Sequence, residues 1–190
     1  WCGNNEVASG WLSWGWKEKL PESVWEDYNK LFHELIPETC IELDPTRLYW
    51  PSSPGHSLEL PETDQVYGKG DNHYWGVWHG GDGFKGFDDN VGRFMSEYGM
   101  QSFPDLKTIK TFAKEDDMNL QSDVMKVRQK ASLGTGNLLK YIEQYYSMPN
   151  DFESIVQLSQ IMQAEAIQTA VEAHRRKMPF CMGTLYWQFN

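Results

Sequence analysis

The sequence predicts an α/β fold in which short strands that end in polar residues alternate with covering helices. Strand-like apolar runs stop at polar or glycine-rich turns near Trp50, Tyr74 and Glu97, and amphipathic stretches lie between and after them. Alternation of this kind favours a parallel sheet covered by helices. At 190 residues with 40% hydrophobic content, the chain is long enough to form one domain with a real core.

The strands are expected in the following order. Residues 47–50 form a buried strand that Pro51 and Pro54 end, because proline cannot donate to a β-ladder. Residues 56–71 form a polar loop, and the first part of 71–81 forms the next strand. A further strand ends at Glu97, and residues 182–190 supply the last one, where Gly183 permits close backbone approach.

A first helix is predicted after a capping pair, Ser23 with Glu26, and it should end at Pro37. Its apolar residues have helical spacing and are assigned to the core: Trp25, Tyr28, Leu31, Phe32 and Leu35. The preceding stretch, residues 10–19, is interpreted as a loop that lines a pocket.

The later helices follow from similar patterns. One begins near Pro104, one runs over 122–146 with a break at 134–136, and the longest covers 150–177. The basic residues at the end of the longest helix complement the helix dipole, so they are not interpreted as a binding patch. Residues 84–90 are expected to form a mobile loop.

Two glutamates at turns are the strongest candidates for chemistry. Glu97 lies in Ser96-Glu97-Tyr98-Gly99, and Glu6 follows Asn5 near the start of the chain. A strand that ends in a carboxylate and continues into a helix is how a barrel enzyme presents a catalytic group. A retaining glycosidase needs two such carboxyl groups, about 5–5.5 Å apart, one protonated and one ionised.

Together these stretches resemble glycoside hydrolase family 2 and, within it, the β-mannosidases. The resemblance extends through residues 47–54, 73–81 and 183–190. It implies a partial (β/α)8 barrel, roughly strands 4/5 to 8 with covering helices. A full barrel needs about 250 residues. Residues 1–190 are therefore expected to be the C-terminal half of a catalytic barrel, a fragment of a larger multidomain enzyme.

The resemblance also implies the roles of individual residues. Glu97 is the nucleophile, Glu6 is the acid/base, and Asn5 hydrogen-bonds the sugar 2-hydroxyl. The remaining expected contacts surround the sugar: Trp14, Trp50, Ser52, Trp75, Trp78, His79 and Trp187. The implied activity is retaining hydrolysis of terminal β-D-mannosyl residues. A family 2 β-galactosidase or β-glucuronidase is the alternative enzyme, and a sugar-binding module that uses its tryptophans is the alternative without catalysis.

Composition excludes several other functions and partners. The formal net charge of -10 argues against nucleic acid, whose affinity for proteins comes mostly from cationic contacts with phosphate. No stretch approaches a membrane span. His73 and His79 lie six residues apart, about 20 Å along a strand, so no metal site and no cofactor are predicted. Cys2, Cys40 and Cys181 do not indicate a disulfide framework.

The expected partners are a β-mannoside oligosaccharide or glycan, the missing N-terminal half of the barrel and the accessory β domains. Self-association is also expected, because an open half barrel exposes sheet edges and apolar surface. The chain contains no Asn-x-Ser/Thr sequon, which favours a bacterial, periplasmic or secreted source.

Overall fold

A computed structural model of the chain describes residues 1–55 and 67–189 and shows a mixed α/β architecture. Most of the predicted polar loop, residues 56–66, lies outside the described part. The chain divides into two compact units. The first unit comprises Trp1–Tyr74, Asn90–Glu97 and His174–Leu185, and the second comprises Trp75–Asp89, Tyr98–Ala173 and Tyr186–Asn190.

The first unit contains a parallel pair of strands, β1 (Cys2–Asn5) and β2 (Trp50–Ser53). The prediction placed this second strand at 47–50 and ended it at Pro51, which is wrong, because the strand begins at Trp50 and continues through the proline. Trp50 and Ser52 pair with β1 at Cys2 and Asn4. Since alternate residues bond to a given neighbour in a parallel ladder, Pro51 lies at a position where no N–H has to be donated to β1.

A second pair joins β3 (Asn72–Tyr74) and β4 (Met95–Tyr98), and the sequence predicted a strand in each of these two stretches. The chain near Thr184 runs alongside β4 through a parallel bridge between Met95 and Thr184. The predicted strand at 182–190 is therefore reduced to one bridge in the described residues. At Gly183 an added Cβ would lie 2.1 Å from the Phe94 ring, so close approach requires glycine there.

Residues 23–43 form a continuous helical run: α2 (Ser23–Asn29), a π-helical segment (Lys30–Leu35) and α3 (Ile36–Leu43). The predicted cap at Ser23 is wrong, since the residue at the cap position is Glu22 and it makes no side-chain capping bond. Pro37 does not end the helix. It lies in the first turn of α3, directly after the wider π turns, where a missing N–H is tolerated.

The apolar stripe of this run is only partly core, contrary to the prediction. Tyr28 is buried, but Leu31 and Leu35 keep 43% and 49% of their surface exposed. The aromatic members pack in series, with Trp25 stacked on Tyr28 at 4.6 Å between ring centroids and Trp11 stacked on Trp25 at 5.4 Å.

Trp11 belongs to a short helix, α1 (Val7–Ser13), where the sequence predicted the start of a loop. The helix was missed because seven residues are too few to show a helical pattern. Trp11 is buried against Trp25, and the Trp16 ring packs against Gly10.

The second unit is mainly helical. Its elements are α4 (Gly86–Asp89), α5 (Leu106–Ile109), a 3-10 turn (Glu115–Asp117), α6 (Asp123–Arg128), α7 (Gly134–Tyr145) and most of α8 (Phe152–Arg176). The expected mobile loop at 84–90 instead contains α4, which Phe87 anchors as a fully buried side chain. The helix after Pro104 is a single turn capped by Asp105.

The longest helix agrees with the sequence pattern, and the helix predicted over 122–146 is interrupted as expected. The position of that break is wrong, because it lies at 129–133, between α6 and α7, and residues 134–136 form the first turn of α7. Ser122 caps α6 by accepting from the Met125 N–H. The buried stripe of α8 has helical spacing and consists of Val156, Met162, Ala166, Ala170 and Ala173. Across the described residues, no helix combines the length and the apolar character that a membrane crossing requires.

Candidate active site

Glu6 follows directly after β1 and lies in an unusual backbone conformation. Its φ of 62° is in the left-handed region, which side-chain-bearing residues seldom adopt. The Glu6 N–H donates to Ser53 O at 2.8 Å, and Asn4 Oδ1 accepts from the Val7 N–H at 3.1 Å. These bonds hold the turn from β1 into α1. Non-glycine residues in this region cluster at functional sites.

Glu97 is the third residue of β4 and is held by neighbours on both sides of that strand. Asn72 N–H donates to Phe94 O on one side, and Met95 bonds to Gly183 O and the Leu185 N–H on the other. The Glu97 side chain is 14% exposed. The prediction that a carboxylate lies at the end of this strand is confirmed for its position in the fold.

His73, on β3, lies between the two glutamates. Its Nδ1 is 2.6 Å from Glu6 Oε1 and 3.9 Å from Glu97 Oε2. The His73 side chain is 4% exposed and that of Glu6 is 20% exposed, so the cluster is largely shielded from water. All three residues belong to the first unit, and one donor atom from each lies within 4.8 Å of the others.

The same three donor atoms could surround a metal ion. This set differs from the His73–His79 pair that the sequence analysis rejected. The 2.6 Å contact between His73 Nδ1 and Glu6 Oε1 is the distance of a charge-assisted hydrogen bond. The two groups are therefore bonded directly to each other in this arrangement.

A second layer of polar residues supports His73, and sequence reasoning missed all of it. Ser53 Oγ lies 3.0 Å from His73 Nε2 and donates to Asp71 Oδ2 at 2.6 Å. Ser96 Oγ donates to the same carboxylate oxygen, and the Gly55 N–H donates to Asp71 Oδ1 at 2.8 Å. The signal in the sequence was Asp71-Asn72-His73, because residues two apart share one face of a strand.

Four of the other predicted site residues lie in the first unit. Asn5 ends β1 with an exposed side chain, and Trp14 is 50% exposed with an edge contact to Trp16 at 5.8 Å. Ser52 is fully buried and bonds to Asn4 Oδ1 at 3.2 Å. Trp50 lines a cavity of about 330 Å³ with Cys2, Ser53, Gly70, Asp71, Phe94 and Ser96. That cavity borders the Asp71 layer, and neither glutamate lines it.

The remaining four lie in the second unit. Trp75 and His79 meet edge to face at 5.0 Å, and His79 is exposed. Trp78 is 4% exposed, with its ring stacked on Tyr141 and its backbone bonded to the Tyr141 hydroxyl and the Asn137 amide. Trp187 is 57% exposed, and its backbone N–H donates to the Tyr98 backbone carbonyl oxygen at 2.8 Å. Their roles as sugar contacts stay predictions.

Two neighbouring carboxyl groups are the kind of site that glycoside hydrolases use. Comparison with known proteins identifies a narrower class of enzymes to which this chain is similar. The chain is 33% identical over 202 residues to β-mannosidase B of Neosartorya fischeri and 32% identical over 203 residues to β-mannosidase B of Aspergillus niger. Each alignment covers all of this chain and 24% of the relative.

A solved structure gives the same result. The crystal structure of β-D-mannosidase from Dictyoglomus thermophilum matches 99% of this chain with a TM-score of 0.85 and 36% identity, and the match covers 22% of that structure. No protein-family model matches the chain. The chain thus spans about a quarter of the length of these relatives. The resemblance to β-mannosidases inferred from the sequence is confirmed.

Proposed function

We propose that this chain carries the catalytic pair of a retaining exo-β-mannosidase, with Glu97 as the nucleophile and Glu6 as the acid/base. The observation that carries the proposal is the convergence of the two carboxylates, each with an oxygen within 4.8 Å of the other and of His73 Nδ1. The mannoside substrate rests on the names of the relatives, all β-mannosidases.

In the first step, a Glu97 carboxylate oxygen attacks the anomeric carbon of a terminal β-D-mannosyl residue. The bond to the glycosidic oxygen breaks, and Glu6 transfers its proton to that oxygen, so the leaving group departs as a neutral alcohol. In the second step, Glu6 removes a proton from water, the resulting oxygen attacks the anomeric carbon, and the ester to Glu97 breaks. Two inversions give net retention.

The short separation of the carboxylates favours this route over single displacement. Retaining enzymes hold their carboxyl groups about 5–5.5 Å apart, whereas inverting enzymes leave about 6.5–9.5 Å to admit a water molecule. An oxygen of Glu6 lies within 4.8 Å of an oxygen of Glu97, a separation nearer to the retaining range than to the inverting range. Shielding by the protein strengthens the interaction between the two groups.

The proposal extends to architecture. We infer that the strands β1 to β4, with the bridge at Thr184, correspond to strand ends four to eight of a (β/α)8 barrel. Residues 1–190 would then be the C-terminal half of the catalytic barrel. The predicted roles of further residues as sugar contacts remain part of the proposal, each to be tested by itself: Asn5, Trp14, Trp50, Ser52, Trp75, Trp78, His79 and Trp187. The missing barrel strands supply further contacts, so the 190-residue chain alone has little activity.

Two substitutions in the full-length enzyme that contains this chain test the roles. Glu97→Ala should abolish hydrolysis of all β-mannosides, because the covalent step is lost. Glu6→Ala should slow substrates with poor leaving groups by about 10²–10⁴-fold and spare activated aryl mannosides much more, because only poor leaving groups need the proton. Equal losses on both substrate types would remove Glu6 from its role.

Azide supplies a sharper distinction between the two residues. Added to Glu6→Ala, it should attack the mannosyl-enzyme and give the β-mannosyl azide. Added to Glu97→Ala, it should take the place of the missing carboxylate and give the α-mannosyl azide. Glu42→Ala, which changes an exposed first-unit glutamate on α3 outside the carboxylate cluster, is a matched control and should leave the rates unchanged. The reverse assignment of azide products would contradict the proposed roles.

A further inference from the structure

A continuous chain of hydrogen bonds leads away from Glu6 into the first unit. It runs from Glu6 Oε1 to His73 Nδ1 at 2.6 Å, from His73 Nε2 to Ser53 Oγ at 3.0 Å, and from Ser53 Oγ to Asp71 Oδ2 at 2.6 Å. Ser96 joins the chain at Asp71. The proposed chemistry of the two glutamates does not use Ser53 or Asp71.

The direction of these bonds is fixed at the Asp71 end. An ionised aspartate offers only acceptors, and a serine hydroxyl has a single proton to donate. At 2.6 Å from Asp71 Oδ2, Ser53 Oγ has to give its proton to that carboxylate. Towards His73, Ser53 Oγ is therefore the acceptor, and the proton of that bond belongs to His73 Nε2.

The proton on His73 Nε2 determines where the proton of the hydrogen bond between His73 Nδ1 and Glu6 comes from. With Nε2 protonated, a neutral ring presents the lone pair of Nδ1 to Glu6, and the short contact then needs a proton on the Glu6 carboxyl. A cationic ring would instead present Nδ1–H to a Glu6 carboxylate. In either case the pair holds one shared proton. In the opposite neutral tautomer, Nδ1 carries the proton and donates it in a hydrogen bond to an ionised Glu6. Glu6 would then have no acidic proton to transfer to the leaving group.

We propose that Asp71, acting through Ser53, is a positioning residue that holds His73 as the Nε2–H form, so that the Glu6–His73 pair retains the proton required for leaving-group protonation. This inference rests on the proposed function for its consequence in catalysis. When the proton has moved to the glycosidic oxygen, the pair is left with two acceptors in contact. That arrangement favours recapture of a proton from water in the second step.

The tautomer can be measured on the 190-residue chain without substrate. Long-range ¹H–¹⁵N spectra of ¹⁵N-histidine-labelled protein distinguish protonated from unprotonated ring nitrogens, and His73→Gln identifies the His73 signals among the five histidines. We expect a protonated Nε2 for His73 in the unchanged protein. A neutral His73 with an unprotonated Nε2 would overturn the proposal. This measurement is made on the unchanged protein, and the His73→Gln variant serves only to assign the signals.

Asp71→Asn tests the cause. The new amide can donate to Ser53, which then donates to Nε2, so the ring proton should move to Nδ1. Asp88→Asn, an acid of the second unit, is the matched control and should leave the His73 signals in place. An unchanged tautomer in a folded Asp71→Asn protein would contradict the role of Asp71.

Activity of the full-length enzyme separates this inference from the proposed function. Asp71→Asn should slow substrates with poor leaving groups about tenfold or more relative to activated aryl mannosides, since part of a general-acid contribution of about 10²–10⁴ is lost. Equal effects on both substrates would overturn the catalytic role of the hydrogen-bonded chain while leaving Glu97 and Glu6 in place. Failure of the Glu97→Ala test would instead remove the proposed function, without affecting the tautomer result.

Discussion

At the scale of single residues, the site depends on backbone geometry as much as on the carboxylates. Glu6 occupies a left-handed conformation, which places its side chain next to His73. A glycine would adopt this φ with no strain, but it could not supply a carboxyl group. The conformation costs about 1–3 kcal/mol, which the surrounding hydrogen bonds of β1, β2 and Asn4 must offset.

Gly99 provides a test of the turn that follows Glu97. A Cβ at this position would lie 2.0 Å from Trp187 O, so close approach is the constraint. Gly99→Ala should therefore lower the free energy of unfolding by about 1–3 kcal/mol, measured by urea denaturation.

Gly136 is the matched control for that substitution. It lies in the first turn of α7 and is exposed, and among the described residues no neighbouring atom would lie within 4 Å of a Cβ added there. Gly136→Ala should raise the free energy of unfolding by about 0.4–1 kcal/mol, because alanine restricts the unfolded chain and favours helix. If Gly99→Ala left the free energy of unfolding unchanged or raised it as Gly136→Ala does, the close approach at Gly99 would be refuted.

At this scale, sequence reasoning could name only residues whose type itself carries chemistry. Glu6 and Glu97 were singled out because both lie at turns and because the two stretches together resemble glycoside hydrolase family 2; their catalytic roles stay a prediction. His73, Ser53 and Asp71 could not be assigned, since their importance comes from pairing across strands that are distant in the sequence. The environment of Trp78 could not be predicted either, since its indole is stacked on Tyr141, a residue far along the chain.

At the scale of secondary-structure elements, the long helices were predictable and the short ones were not. The 25 residues of α8 follow one repeating pattern, so errors at single positions do not matter. α1 and α4 are too short for a pattern, and buried aromatic side chains hold them: Trp11 in α1 and Phe87 in α4. The last strand was predicted too long, because the apolar run at 182–190 resembles a strand although this segment makes only one bridge, between Met95 and Thr184, in the described residues.

The start of α8 has a pH dependence that can be measured. Asp151 Oδ1 accepts from the Ser154 N–H at 2.8 Å, and the backbone and hydroxyl bonds from Ser154 lower the pKa of the Asp151 carboxyl from its usual value. Because the folded-state pKa is lowered, the stabilising contribution is present above the unfolded-state pKa, near 3.9, and is lost as the pH falls through the folded-state value.

Asp151→Asn separates the charge from the cap. The amide keeps the capping oxygen, so the variant should be less stable than the unchanged protein near neutral pH, and the difference should shrink as the pH falls below about 4. Thermal unfolding followed by circular dichroism at a series of pH values measures this difference. A gap that stayed constant down to about pH 2–3, below the usual aspartate pKa, would show that the charge of Asp151 does not contribute.

At the scale of the whole molecule, two properties of the surface oppose each other. The formal net charge of -10 keeps copies apart. Several large apolar side chains nevertheless remain more than half exposed, among them Ile41, Leu43, Leu48, Val127 and Trp187. Apolar surface of this amount favours association with other chains.

We therefore expect concentration-dependent self-association of the 190-residue chain. Light scattering should give a mass above 22.1 kDa that rises with protein concentration, and added salt should increase it, because screening weakens repulsion between negatively charged copies. A constant mass of one chain at high concentration and high salt would contradict this expectation.

The central claim is that Glu97 forms the covalent intermediate opposite Glu6, and one measurement tests it directly. The full-length enzyme that contains this chain is treated with 2-deoxy-2-fluoro-β-mannosyl fluoride, digested, and mapped by mass spectrometry. The fluorine slows the second step, so the sugar stays attached to the nucleophile. We predict one added 2-fluoromannosyl group on the peptide that carries Glu97, and none after Glu97→Ala. A label on Glu6 or on any other carboxylate would contradict the account.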